Sequence, residues 1–187
     1  MRIVGGEARG RRLNLPRGYR TRPTSCRLKE TLFDILPSIE GKSFLDLYAG
    51  SGAIGLEALS RGAAKVVFVE KNKVLAHVIK RNLDGDGFEG RYEILTTGIQ
   101  RGVRLLNEKQ MRFDFLFADP PYERGLVGET MFCIGKESLF SEDGLVIIQH
   151  SIREELDWRP GNRFVLIDQR RYGDTFLSFL KLKLKKG

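Results

Sequence analysis

An α/β fold, with a mainly parallel sheet covered by helices on both faces and an antiparallel hairpin at one edge, is predicted by three observations. Short apolar segments of strand character alternate with segments of helical period from Ser43 to Gln149. A glycine turn joins the first such strand directly to a helix, and Tyr172-Gly173-Asp174 separates two strand-like runs near the end. Parallel strands need crossover connections and bury both faces, so this alternation implies a layered sheet.

Residues 1 to 24 are rich in Gly and Arg, carry Pro16 and Pro23, and lack sustained periodicity. They read as an arm with at most a short hairpin, outside the main core. From Ser25, Leu28, Leu32, Ile35 and Leu36 recur at helical spacing until Pro37. The segment from 25 to 187 is then the main domain. Its alternation begins with a buried strand at Ser43 to Leu47, a helix at Ala53 to Arg61 that stops at Gly62, and a strand at Lys65 to Val69. Asn72 is placed to cap the next helix, whose Leu75, Val78, Ile79 and Leu83 share one face. Asp84-Gly85-Asp86-Gly87 faintly resembles a calcium loop, but Leu95 stands where the bidentate Glu belongs, so it reads as a turn. A strand follows near Tyr92 to Thr96, then a helix around Ile99 to Asn107, a strand at Phe113 to Ala118, a helix at Leu126 to Gly135 and a strand at Leu145 to Gln149. Phe164 to Arg170 and Thr175 to Lys183 form the closing hairpin.

The chain has 187 residues and 41% hydrophobic content, enough for one sizeable core. No apolar run approaches the roughly 20 residues that cross a bilayer, and the start, Met1-Arg2-Ile3-Val4-Gly5-Gly6, does not read as a secretion signal. A cytoplasmic monomer without membrane attachment is expected. Cys26 and Cys133 lie far apart without metal-ligand spacing, and His77 and His150 add none, so no metal site is expected. Trp158 reads as a packing residue. The net charge of +8 is uneven: residues 1 to 30 hold nine Lys/Arg against Glu7 and Glu30, and residues 163 to 187 hold seven against two acids. Basic ends on an acidic body point to a polyanionic partner.

Asp46-Leu47-Tyr48-Ala49-Gly50-Ser51-Gly52-Ala53-Ile54-Gly55 satisfies G-x-G-x-x-G in strand-turn-helix context. Such glycines let the turn bend sharply and bring backbone close to a bound nucleotide. Glu70 ends the second strand, where a carboxylate can accept hydrogen bonds from ribose hydroxyls. A nicotinamide or flavin cofactor would fit these features alone. Asp46 favours a cationic one, since a carboxylate at the strand end repels a pyrophosphate but suits the ammonium and sulfonium of S-adenosylmethionine.

Asp119-Pro120-Pro121-Tyr122 follows a central strand at its carboxyl end, where such sheets bind ligands. The two prolines stiffen the loop and remove local donors. An exocyclic amine on a nucleic-acid base is a poor nucleophile because its lone pair is delocalised into the ring. The Asp119 carboxylate and the Pro120 carbonyl can accept its two N–H bonds and aim the nitrogen, with Tyr122 stacked on the base. This chemistry serves RNA and DNA equally.

With both motifs placed, the chain resembles the RsmD-type methyltransferases. The likeness runs through Arg2-Ile3-Val4-Gly5-Gly6, Gly10-Arg11-Arg12-Leu13 and Arg22-Pro23-Thr24 with Arg27, Glu30, Leu32 and Phe33. It continues through the glycine loop to Glu57-Ala58-Leu59-Ser60-Arg61-Gly62-Ala63, the Asp-Pro-Pro-Tyr loop and Tyr172-Gly173-Asp174-Thr175. The resemblance implies a Rossmann-like class I methyltransferase sheet of seven strands and methylation of guanine N2 in 16S ribosomal RNA. The partner would be that RNA or the assembling small subunit. The candidate cofactor positions are Asp46, Tyr48, Ala49, Gly50, Ser51, Gly52, Glu70, Lys71, Gly98 and Asp119; the candidate catalytic ones are Asp119, Pro120, Pro121 and Tyr122. Arg9, Arg11 and Arg12 are placed to contact RNA phosphates. Arg22 and Thr24 would touch RNA or help close the cofactor pocket, Thr24 serving equally as a helix cap. The chain departs from the family pattern twice. Thr96-Thr97-Gly98 lacks the Asp or Asn that often contacts the adenine amine, leaving a backbone contact near Gly98, and Gln149-His150 replaces a common Glu-His. The competing readings are a DNA adenine or cytosine amino-methyltransferase, an inactive RNA-binding scaffold and a nicotinamide oxidoreductase.

Overall fold

The computed structural model describes residues 1–15, 26–85, 87–156 and 163–183. Arg22, Thr24 and Trp158 therefore lie outside the described residues, as does the side chain of Cys26. Five helices and seven strands are assigned among the described residues: α1 Cys26–Ile35, β1 Ser43–Leu47, α2 Ala53–Ser60, β2 Lys65–Val69, α3 Lys73–Leu83, β3 Tyr92–Leu95, α4 Ile99–Glu108, β4 Phe113–Ala118, α5 Leu126–Lys136, β5 Phe140–Ser151, β6 Phe164–Tyr172 and β7 Thr175–Leu182. The strand order is β3-β2-β1-β4-β5-β7-β6. Two compact units divide the chain at Gly98.

In the first unit, β1 pairs with β2 and β2 with β3, all parallel. Leu45, Leu47, Val67 and Phe68 are buried completely, as the unbroken apolar runs of β1 and β2 require. The α2 backbone lies so close to β2 that a Cβ on Gly55 would collide with the Phe68 ring and come within 2.9 Å of Val66. The third glycine of the motif therefore serves helix-strand contact. Asn72 caps α3 as its sequence position suggests, its side-chain oxygen accepting from the Val74 and Leu75 amides at 2.9 and 3.3 Å.

The amino-terminal segment differs from the sequence reading in one respect. Its short hairpin is present, with an antiparallel bridge between Arg2 and Arg12 and a bond from Ile3 N to Arg11 O. It packs into the unit instead of standing off it, because Ile3 and Leu13 are buried among the core side chains. Glu57 explains the docking. This carboxylate, on the fully buried helix α2, accepts from the Val4 and Gly5 amides at 2.9 and 2.7 Å. It also pairs with Lys29 at 2.9 Å, both side chains being fully buried, and with Arg61 at 2.9 Å. Lys29 in turn donates to the Arg2 carbonyl. A charge inside a helix that is apolar on every side demands such partners.

In the second unit, β4 and β5 are parallel, while β5–β7 and β6–β7 are antiparallel. The hairpin turns at Gly173-Asp174, where Gly173 has φ 61°. β5 begins five residues earlier than its apolar run, at Phe140. Ser141, Glu142, Asp143 and Gly144 look like turn residues in sequence but continue the strand past a register shift against Phe113 and Phe115. At Gly144 an added Cβ would meet Phe140 at 2.9 Å, so the close approach at this irregularity requires glycine.

Candidate active site

In the first unit the chain leaves β1 through Tyr48 (φ 59°), Gly50 (φ 57°) and Gly52 (φ 79°), all left-handed. Glycine adopts this conformation freely, whereas Tyr48 is held there at a cost of order 1 kcal/mol. The turn is fixed from two sides. Glu70, nearly buried at the end of β2, accepts from Gly50 N at 2.9 Å with one carboxylate oxygen and from Asn72 N at 2.8 Å with the other. Asn82, fully buried on α3, donates its amide to the Ser51 carbonyl at 3.1 Å. The same Asn82 amide holds Asn14 of the hairpin through its backbone N–H at 2.7 Å and its carbonyl at 3.1 Å. One buried side chain thus ties the hairpin to the glycine turn. Asn82 interrupts the apolar face of α3, and that polar interruption was its only signal in the sequence.

Asp46 is buried, and its Oδ2 accepts from Gly55 N, in the first turn of α2, at 2.9 Å. A helix start of this kind binds phosphate in dinucleotide folds. Here a carboxylate of the chain already takes one of its amides, which opposes a pyrophosphate at that place. Ala49 is buried, Ser51 is half-buried, Lys71 is exposed, and Gly98 is exposed with open space where a Cβ would stand. Thr97 N is turned back to the Leu95 carbonyl at 3.0 Å.

In the second unit Asp119 follows the last residue of β4, with Pro120 buried, Pro121 exposed and Tyr122 half-buried. Glu123, directly after the motif, has φ 58°. Non-glycine residues in the left-handed region thus adjoin both motifs, at Tyr48 and Glu123, and such strain is concentrated at functional turns. The Tyr122 hydroxyl is gripped by two strands: Gln149 of β5 donates its Nε2 at 3.1 Å, and Thr175 Oγ1 of β7 lies 3.2 Å away. The carboxylate on the loop and the residues that aim its tyrosine therefore come from three neighbouring chain segments. In sequence Gln149 is a departure from the family pattern and Thr175 part of a motif, and neither carries a legible task. Cross-strand partners are invisible without the β5–β7 register.

Beside them, His150 is buried and faces no metal-ligand set: Nδ1 lies 3.1 Å from the Ser151 and Glu154 carbonyls, and Nε2 lies 2.8 Å from Ser178 Oγ. Since carbonyls only accept, Nδ1 carries a proton, and burial disfavours a second one on Nε2. Burial lowers its pKa from the ordinary 6.5. The unfolded chain then takes up more protons as pH falls through 6.5, so stability drops on that side. Chemical denaturation at pH 7.5 and 5.5 is expected to show this loss, and to show less of it in His150→Gln.

Of the proposed RNA-contacting arginines, Arg9 and Arg12 are exposed on the hairpin. Arg11 is half-buried, donates Nη2 to the Asp84 carbonyl at 3.0 Å, and has its pKa lowered by burial. That bond fastens the hairpin to the end of α3. Among the described residues there is no group of three His, Cys, Asp or Glu able to hold a metal, and no helix long and apolar enough to cross a membrane.

A sheet of this order, with a glycine turn after β1 and a proline loop after β4, defines a methyltransferase of the Rossmann-like class. The chain aligns with an Escherichia coli structure described as "Putative methyltransferase yhhF" at a TM-score of 0.83 and 28% identity, covering 99% of each chain. It is 34% identical over 163 residues to Escherichia coli "Ribosomal RNA small subunit methyltransferase D", spanning 87% of this chain and 80% of that protein. It is 30% identical over 182 residues to Bacillus subtilis "Putative rRNA methyltransferase YlbH", spanning 97% and 98%. The family described as "Conserved hypothetical protein 95" matches residues 1–181. The chain belongs to this family, the RsmD family, and is a methyltransferase.

Proposed function

We propose that this enzyme transfers a methyl group from S-adenosylmethionine to the exocyclic N2 amine of a guanine in small-subunit ribosomal RNA, acting as a cytoplasmic monomer. The observation that carries the reading is the Asp119-Pro120-Pro121-Tyr122 loop at the carboxyl end of β4, with its tyrosine hydroxyl held by Gln149. Small-subunit RNA, free or within an assembling particle, is the partner that the named relatives suggest.

The residues of the first unit fit the cofactor. Glu70 uses one acceptor position on each oxygen for the Gly50 and Asn72 amides and keeps lone pairs for ribose hydroxyls. Gly50 and Gly98 leave room for close approach of a ligand to the backbone. When bound, S-adenosylmethionine supplies an electrophilic methyl on a sulfonium. Glu70→Ala is expected to weaken binding of S-adenosylhomocysteine by roughly ten- to a hundredfold, because a charged acceptor is worth about 1.5–3 kcal/mol. Calorimetric titration of folded variant and parent checks this.

The residues of the second unit serve the amine. The Asp119 carboxylate and the Pro120 carbonyl accept its two hydrogens, raise electron density on nitrogen and fix its direction. Tyr122 presents its ring to the base, and its anchored hydroxyl limits ring rotation. A paired guanine has to be extruded before it can meet this loop. The exposed Arg2, Arg9 and Arg12 of the hairpin supply phosphate contacts, so affinity for RNA falls as salt rises.

Methyl-labelled S-adenosylmethionine offered with naked 16S RNA, assembled small subunits or duplex DNA tests the reading. Label in RNA or the subunit, lost progressively with salt, is expected. Label in DNA alone overturns it in favour of a DNA amino-methyltransferase.

A further inference from the structure

The buried side chain of Gln149 carries an unusual feature. Its Nε2 donates to the Tyr122 hydroxyl at 3.1 Å, while its Oε1 is buried and accepts no hydrogen bond among the described residues. The residue is only 5% exposed. An unsatisfied buried amide oxygen costs about 1–3 kcal/mol, so a site that retains one has a reason for it. Its position supplies the reason. Ala118 and Ile148 are register partners in the β4–β5 pair. Asp119 directly follows β4 and Gln149 is the next residue on β5, and neighbouring strands lie about 4.8 Å apart, so both stand at the carboxyl end of the sheet.

We infer that Gln149 is a specificity-determining residue of the base site, its Oε1 accepting the N1–H of guanine next to the amine that Asp119 holds. The inference rests on the proposed transfer to an exocyclic amine and deepens it. Three bases carry such an amine. In adenine the ring nitrogen beside it, N1, is an acceptor, and so is N3 of cytosine. In guanine one of the two ring nitrogens flanking the amine, N1, is a donor, while N3 on the other side is an acceptor. An acceptor at this place completes the hydrogen bonds of guanine and meets a lone pair in adenine or cytosine. Rejection then comes from the polar atom left unpaired, the strongest means by which a site discriminates between similar ligands. The same amide keeps Tyr122 in place through its other end, so stacking and edge recognition are set by one side chain.

The test uses small-subunit RNA, in whichever form accepts methyl, with guanosine or 2-aminopurine riboside at the methylated position. 2-Aminopurine keeps the 2-amine and has a lone pair at N1. Parent enzyme is expected to prefer guanine by on the order of ten- to a hundredfold in kcat/KM. Gln149→Leu removes the acceptor and is expected to collapse that ratio toward one, chiefly by slowing guanine. Gln149→Glu restores an acceptor and keeps the preference. Tyr122→Phe breaks the bond to Gln149 Nε2 and is expected to slow both substrates while leaving the ratio intact. Equal slowing of both substrates by Gln149→Leu, with the preference unchanged, overturns the inference and leaves Gln149 as a tyrosine support. Absence of N2 methylation by the parent enzyme on guanine RNA instead overturns the proposed function, so the two failures are separable. Circular dichroism of each variant checks that the overall fold is retained.

Discussion

Asp119→Ala lowers methyl transfer by roughly a hundred- to a thousandfold or more, the loss that follows removal of one preorganised electrostatic partner from a reacting centre. The physical reason is specific to an amine conjugated with a ring. Without an acceptor for its hydrogens, the nitrogen lone pair stays delocalised and poorly directed, and the Pro120 carbonyl alone cannot fix both. The fall should appear in kcat, since the acceptor matters most as positive charge develops on nitrogen. Affinity for S-adenosylhomocysteine should change little, because the glycine turn and Glu70 are held by their own hydrogen bonds in the first unit. Single-turnover transfer and calorimetry on the same preparation separate the two effects. Unchanged turnover would remove Asp119 from the mechanism.

Glu57→Ala has the largest expected effect on stability, about 3–5 kcal/mol, which is the cost of leaving one member of a buried ion pair alone. Lys29 is fully buried beside it, so the variant strands an ammonium where water cannot reach. Two hairpin amides, at Val4 and Gly5, lose their acceptor at the same time. A domain of ordinary stability has only about 5–15 kcal/mol to lose. Urea denaturation should show a large fall in midpoint, and the double variant Lys29→Met/Glu57→Leu should recover the share due to the stranded charge but not the share lost with the Val4 and Gly5 bonds. If the single variant is as stable as the parent, Glu57 is not what docks the hairpin.

Much of this fold is legible in the sequence. β1, β2 and β4 have the predicted bounds because uninterrupted apolar runs between turn residues leave few alternatives, and Asn72 caps α3 where its spacing puts it. What escaped was set by tertiary pairing. β5 starts at Phe140 because Phe113 accepts a partner there across an irregular register, although Ser141-Glu142-Asp143-Gly144 has the composition of a turn. The hairpin is part of the core because a buried glutamate on another segment takes its amides, and no local pattern in Gly-Arg-rich sequence reveals that. The site followed the same division. The glycine turn, Glu70 and the proline loop stand out in the sequence as motifs at set spacing, whereas Asn82, Gln149 and Thr175 make their contacts across strands or helices, where no local pattern marks them. The charge of Asp46 suits a cationic cofactor in sequence, and in the structure its Oδ2 accepts from Gly55 N, a structural duty that the sequence does not reveal.

Asp119 and its loop are proposed to direct transfer to the amine of a guanine. Complete digestion of RNA methylated by the enzyme, followed by mass spectrometry of the nucleosides against authentic standards, tests it most directly. N2-methylguanosine is the product expected; methylation confined to N6 of adenine or N4 of cytosine, or to a ring nitrogen of guanine, would contradict it.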